Sequence, residues 1–195
     1  SADDIKYAKE FGYVIKLLGV AKNTEDGIEV KVHPMLIPNN HPLANVNDAF
    51  NAVFVHGKAM DDAMFMGRGA GQMPTASAVV GDIIDVCRNI VHDSCGRIGC
   101  CCYKNLEVKD ITDTKSKFFL RLEVADKQGV LANIASVLGN SGVSIAQVVQ
   151  KSGKDGVAEL VIITAEVLEK NFNDAMAVFK GLSAVKNIAG VIRVY

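Results

Sequence analysis

Apolar residues recur along this chain at two spacings, and each spacing names an element. Every second position is apolar in Tyr13-Val14-Ile15-Lys16-Leu17-Leu18-Gly19-Val20-Ala21 or in the run from Ile28 to Ile37, which predicts two strands. Asn23-Thr24-Glu25-Asp26-Gly27 between them carries the Asp-Gly signal of a hairpin. In the return strand Ile28, Val30 and Val32 fall on one face and Glu29, Lys31 and His33 on the other. Pro34 and Pro38 mark its irregular end, and His33 is expected to face solvent or to be capped. Ahead of the hairpin, Ile5, Ala8 and Phe11 repeat at helical spacing. Ser1 or Asp3 can cap that helix, Asp3-Asp4 suit its positive end, and Gly12 stops it.

Residues 38–42 then form a loop, Leu43 to Val46 one helical turn, and Phe50 to Gly57 with Ala63 to Gly67 two further strands. Ala76 to Val91 has the 3.6-residue period, with Val79, Val80, Ile83, Ile84, Val86 and Cys87 available for packing. Strands with helices on one side make the first part an α+β layer. The mixed stretch after Asp93 ends in the charged run Asp110 to Lys117, which reads as a solvated linker holding the domain boundary. Beyond it the periods alternate cleanly. Strands at 118–125, 143–151, 157–166 and 185–195 are interleaved with helices at 130–140 and 168–182. A turn at 152–156 joins the middle pair. That order is βαββαβ, the split arrangement of a ferredoxin-like sandwich. Two helices would cover one sheet face and leave the other for a partner or solvent.

Length and composition narrow the class. The chain of 195 residues is 49% hydrophobic and 22% charged, which suits one large or two small packed domains. A formal net charge of -1 gives no reason to expect nucleic acid or an anionic membrane as partner. No apolar run approaches bilayer length, and Ser1-Ala2-Asp3-Asp4 does not open a signal peptide, so the expectation is a cytoplasmic protein. Five cysteines, Cys87, Cys95, Cys100, Cys101 and Cys102, are an odd number and argue against a disulfide framework. A zinc-binding protein built on them is the least favoured reading. Consecutive extended residues point to opposite faces, so Cys100-Cys101-Cys102 would struggle to supply one tetrahedron. Reduced, partly buried thiols and no metal site are expected.

The stretch with the most chemistry is Met66-Gly67-Arg68-Gly69-Ala70-Gly71-Gln72-Met73-Pro74-Thr75. Glycines allow positive φ and close backbone approach, and a helix that starts near Pro74 offers unpaired N–H groups and partial positive charge to an anion. The plain alternative is a tight connection between strand and helix.

In its setting this stretch is similar to homoserine dehydrogenase. The resemblance rests on an ordered series: Ala8-Lys9-Glu10-Phe11-Gly12-Tyr13, Ile15 to Gly19, His41-Pro42-Leu43-Ala44-Asn45-Val46, Asn51-Ala52-Val53, Gly67 to Gly71, and Pro74 to Ile83. Asp126-Lys127-Gln128-Gly129-Val130-Leu131 resembles the loop of an ACT domain. The division this implies is the rear of a catalytic domain at 1–95, a linker at 96–117 and an amino-acid-binding ACT domain at 118–195. The implied reaction is NAD- or NADP-dependent interconversion of L-homoserine and L-aspartate 4-semialdehyde, in threonine and methionine biosynthesis.

The family's nucleotide-binding Rossmann domain, catalytic lysine and substrate-holding acids are expected to lie before residue 1. No catalytic residue is therefore assigned here, and the chain is expected to be a C-terminal fragment, inactive alone and without a tightly bound nicotinamide. Gly67, Gly69, Ala70, Gly71 and Thr75 are the expected wall near that cofactor. The resemblance places an effector at Asp126, Gln128, Gly129 and Val130, with Ser144 and Gln147 completing the pocket. Asp126 would meet an ammonium and the helix start a carboxylate, unless Asp126 merely caps the helix. Gln128 stands where proline is common and loosens the loop. Threonine is the first effector to expect, and a homo-oligomer is expected through the ACT domain or the catalytic-domain sheet. The alternative is a free-standing amino-acid sensor or dimerisation module without catalytic activity.

Overall fold

A computed structural model describes residues 1–100, 105–151 and 155–195. The turn expected at 152–156 and the thiols of Cys101 and Cys102 fall wholly or partly outside that set. Among the described residues, four helices and nine strands run in the order α1 (Ala2–Glu10), β1 (Tyr13–Thr24), β2 (Gly27–Pro38), β3 (Phe50–Gly57), β4 (Asp61–Arg68), α2 (Gln72–Val91), β5 (Lys115–Ala125), α3 (Val130–Asn140), β6 (Ile145–Lys151), β7 (Val157–Thr164), β8 (Val167–Leu168), α4 (Glu169–Gly181) and β9 (Val185–Val194). The class is α+β. These elements form two compact units, one made of 1–39 with 106–195 and the other of 40–105. Compactness thus divides the chain differently from the expected 1–95, 96–117 and 118–195.

In the first unit the strand order is β1-β2-β9-β5-β7-β6. The four strands β9-β5-β7-β6 with α3 and α4 are the ferredoxin-like sandwich. Phe118, Leu120, Leu122 and Val124 point from β5 to the helix side. There they meet Ile134 and Leu138 of α3, and Phe172 and Phe179 of α4, all buried. Phe118 stacks on Phe172 with ring centroids 3.6 Å apart and planes 3° from parallel.

The opposite sheet face is covered too, contrary to expectation. The β1–β2 hairpin joins the edge of β9, with Met35 opposite Arg193 and Leu36 opposite Val194 in parallel register. This brings α1 back across the sheet, where Tyr7 and Ala8 pack on Phe119, Val161 and Ile163. Ser1 caps α1 in a capping box with Asp4, as the first residues of the chain suggest.

The alternation in β2 is present, but its sides are reversed. Glu29 and Lys31 are buried while Val30 and Val32 are 54% and 73% exposed. The buried side of β2 faces charged partners rather than an apolar layer, so polar residues satisfy it. The expected solvated run also folds differently. Residues 115–117 begin β5, Thr114 and Ser116 are buried, and Lys115 and Ser116 pair with β8.

The second unit is a β3–β4 hairpin and α2. The hairpin pairs Phe50 with Arg68 through to Gly57 with Asp61. No residue of α2 is buried, although Val79, Val80, Ile83, Ile84, Ile90 and Val91 lie along it. The packing expected for these residues is not made within their unit.

Candidate functional site

Each stretch singled out from the sequence sits at the junction of a strand and a helix. Gly67 belongs to β4, Gly69 and Ala70 follow it, and Gly71 is the N-terminal cap residue of α2 with φ +136°. Thr75 N–H donates to the Gly71 carbonyl at 3.1 Å, closing the first helical turn. The five residues therefore lie within one nine-residue stretch, and all are exposed. Two of the glycines answer to their own surroundings. A Cβ at Gly69 would overlap the Asn51 side chain, and one at Gly71 would stand 3.2 Å from Pro74 Cδ in a backbone region costly for other residues. A Cβ at Gly67 would meet nothing within 4 Å. The start of α2 has no side-chain cap, so its first N–H groups retain the capacity to bind an anion.

At the second junction β5 ends at Ala125 and α3 begins at Val130. Gly129 is the cap residue, with φ +84° and no side-chain capping bond. Asp126 is therefore not the cap. Its own N–H donates to the Gly156 carbonyl at 2.9 Å, which fixes the loop to the end of β7. Asp126, Gln128 and Gly129 are exposed, and Val130 is buried. The N–H of Val130 already leans on the Lys127 carbonyl at 3.4 Å.

Ser144 and Gln147 do not complete this pocket within one chain. Ser144 accepts from Ala165 N–H, and Gln147 lies opposite Ile163, whereas Asp126 is bound to Gly156. At about 3.3 Å per residue, the ends of β7 that hold Ser144 and Asp126 are roughly 30 Å apart. The crossover helix α3 makes β6 run parallel to β5, so β6 starts at the far end of the sheet.

Two ion-pair clusters escaped the sequence reading. On the α1 side, Arg121 Nε donates to Asp4 at 2.8 Å, Nη1 to Glu159 at 2.9 Å and Nη2 to Ser1 Oγ at 3.0 Å. Tyr7 O–H donates to the other oxygen of Glu159. Burial opposes the charge of Asp4, but hydrogen bonds from Arg121, the Ser1 ammonium and the Ser1 hydroxyl hold its carboxyl below the usual range. The Tyr7 hydrogen bond, aided by Arg121, lowers Glu159 likewise against some burial. Burial and the Glu159 carboxylate push the Tyr7 phenol well up.

On the helix side, Glu169 accepts from Arg193 Nε at 2.6 Å, Arg193 Nη2 at 2.5 Å and Ser116 Oγ at 2.8 Å. Lys31 Nζ donates to Ser116 Oγ at 3.1 Å and lies 3.7 Å from Glu29 and 3.8 Å from Glu169. Burial works against the Glu169 charge, yet Arg193 and Ser116 outweigh it and keep the carboxyl low. Burial lowers Lys31, with Glu169 and Glu29 opposing. Both ring nitrogens of His33 are buried without a hydrogen-bond partner, so the solvent-facing or capped histidine expected here is instead an enclosed one. Burial first, then the nearby Arg193 charge, lowers its pKa. The alternation of Glu29, Lys31 and His33 was visible in the sequence, but nothing there showed which face would be covered.

Cys87, Cys95 and Cys100 are exposed rather than partly buried. Among the described residues no group of histidine, cysteine, aspartate and glutamate side chains is placed to hold a metal ion. Nor is any helix long and apolar enough to cross a membrane.

The sandwich, its βαββαβ order and the glycine start of α3 define a regulatory domain of the ACT type, and residues 112–193 match the ACT domain family. Residues 1–84 match the homoserine dehydrogenase family. The chain therefore carries a homoserine dehydrogenase C-terminal region followed by an ACT domain.

Homoserine dehydrogenase of Pseudomonas aeruginosa is 39% identical over 98% of this chain and 46% of its own length. That of Neisseria gonorrhoeae is 41% identical over 97% and 45%. The crystal structure of a homoserine dehydrogenase from Thiobacillus denitrificans superposes with TM-score 0.90 at 38% identity, covering 100% of this chain and 45% of that one. The chain thus spans a little under half the length of the relatives it matches.

Proposed function

We propose that this chain is the rear catalytic and regulatory portion of an NAD(P)-dependent homoserine dehydrogenase, an enzyme that interconverts L-homoserine and L-aspartate 4-semialdehyde. The observation that carries the reading is near-complete coverage of this chain by homoserine dehydrogenases at about 40% identity. The bare apolar surface of α2 supports it, since 20 residues with none buried need a further layer to pack against. In this division 1–95 serves catalysis, 96–117 connects and 118–195 regulates.

A bound nicotinamide cofactor would supply the hydride chemistry. Gly67, Gly69, Ala70, Gly71 and Thr75 would form the wall beside it. The uncapped start of α2 would face its phosphates, which suits the donors present there. An assay with homoserine and either NAD or NADP tests the assignment. The chain alone should show no turnover above denatured protein. Turnover by this chain would reject the assignment of catalytic groups elsewhere.

The ACT domain binds an amino acid in this reading, threonine first. Asp126 takes the ammonium and the open N–H groups at the start of α3 take the carboxylate. Because Ser144 and Gln147 stand at the far end of the sheet, they serve the site of a second copy. Strand β6 is an edge of the sheet. Antiparallel pairing of two β6 edges carries the Ser144 end of one copy toward the Asp126 end of the other. Threonine should therefore raise Tm and favour the dimer together, while Asp126→Ala removes both effects. A silent threonine titration, with lysine, methionine and isoleucine equally silent, would leave dimerisation as the role of this domain.

A further inference from the structure

Between β2 and the start of β5 lies a cavity of about 310 Å³, at the small end of the range for small-molecule sites (roughly 300–1,000 Å³). It has room for about ten waters at roughly 30 Å³ each. Its wall is drawn from both family segments. Lys22, Glu29, Lys31 and His33 come from the part matching homoserine dehydrogenase, and Lys115, Ser116, Lys117 and Glu166 from the part matching the ACT domain.

The floor is preorganised. Behind the lining Arg193 and Ser116 fix Glu169, and within it Lys31 donates to Ser116 and is balanced by Glu29. These bonds orient the groups before any ligand arrives, which reduces the ordering cost of binding. The mouth is different. Lys22, Lys115 and Lys117 are exposed along the lining, with Glu166 and the chain's last residue Tyr195 beside them, so three ammonium groups face two carboxylates and the balance favours anions. Val20, Met35 and Val194 supply an apolar side.

His33 adds an independent sign of incompleteness. His33 is part of the lining, and its two ring nitrogens are buried without a hydrogen-bond partner. A buried polar group left unpaired loses its hydration without compensation. A turn of the ring would offer one nitrogen to an occupant.

We propose that this cavity binds a small organic anion. Its carboxylate or phosphate would be held by the mouth lysines, and its carbon portion packed on Val20, Met35 and Val194. The site is separate from the β5–α3 loop and does not depend on an effector binding there. Because β2 and β5 both line it, an occupant ties the hairpin more firmly to the ACT sheet.

The test is an NMR titration of the full chain with inorganic phosphate and, separately, with succinate, each against sodium chloride at matched ionic strength. Saturable shifts at His33, Ser116 and Val20 are expected with one or both anions. Phosphate alone would identify a phosphate-bearing ligand, and succinate alone a carboxylate. Lys115→Ala and Lys117→Ala alter exposed mouth residues only, so Tm without ligand should hold while affinity falls at least about fivefold in one of them. Asp126→Ala should leave the affinity unchanged. Shifts no different from the chloride control, or the same affinity in both lysine variants, would overturn the proposal.

Discussion

Arg121 and Asp4 meet at 2.8 Å with side chains 5% and 6% exposed, joining the middle of β5 to the first turn of α1. This contact helps hold α1 over the sheet face that α3 and α4 leave free. A carboxylate and a guanidinium withdrawn from water gain little over an apolar pair, but removing one partner alone costs about 3–5 kcal/mol. Asp4→Ala should therefore destabilise the first unit by about 3 kcal/mol in urea unfolding, even though Glu159 still engages Arg121. The double change Asp4→Leu with Arg121→Met should recover most of the loss. If Asp4→Ala costs less than about 1 kcal/mol, α1 is not held to the sheet by this pair.

The same contact shows where the sequence was readable. Local rules are enough for the βαββαβ order, for α3 over 130–140 and for the cap at Ser1, because each depends on neighbours within a few residues. The joining of β2 to β9 depends on Met35 meeting Arg193 across more than 150 residues of chain, and no periodicity encodes that. The burial of Glu29 and Lys31 follows from it, and local alternation alone does not say which face of β2 is covered. The turn at Asp126 to Gly129 is legible from its residues, while the distance from Asp126 to Ser144 depends on the direction of β6.

Gly69 tests whether the glycine stretch is required by its own packing. A Cβ there would run into the Asn51 side chain, and overpacking of this kind costs about 1–3 kcal/mol. Gly69→Ala should loosen the β3–β4 hairpin, seen as faster amide exchange at Asn51 and Gly67. Adding Asn51→Ala should restore protection. Unchanged exchange in the single variant would mean that Asn51 moves aside freely and that Gly69 is present for another reason.

The exposed residues of α2 should tolerate charge. Ile83 is 56% and Val80 52% exposed, so Val80→Lys with Ile83→Lys should change the unfolding free energy of this chain by less than about 0.5 kcal/mol. The same pair of changes should lower the binding of a hydrophobic dye and reduce self-association, because contiguous apolar patches drive both. A large loss of stability would show that these side chains are packed in solution.

The response to acid should come in two stages, each with its own residue. Glu169, Asp4 and Glu159 have carboxyls held below the usual range in the folded chain, whereas unfolded carboxyls titrate near about 4. Below that value the unfolded chain binds more protons, so stability rises with pH and is lost as pH falls through the folded pKa values. His33 is depressed by burial and by Arg193, so its loss begins earlier, as pH drops below about 6.5. Unfolding free energies between pH 3 and 8 should therefore decline gently below neutrality and steeply below about pH 4. His33→Gln should flatten the first decline and leave the second. Glu169→Gln should instead lower stability at pH 7 by about 3 kcal/mol, since Arg193 and Lys31 lose their shared carboxylate, and should shrink the steep loss. A slope between pH 5 and 7 that persists in His33→Gln would assign the early loss to a different group and remove the enclosed imidazole from this account.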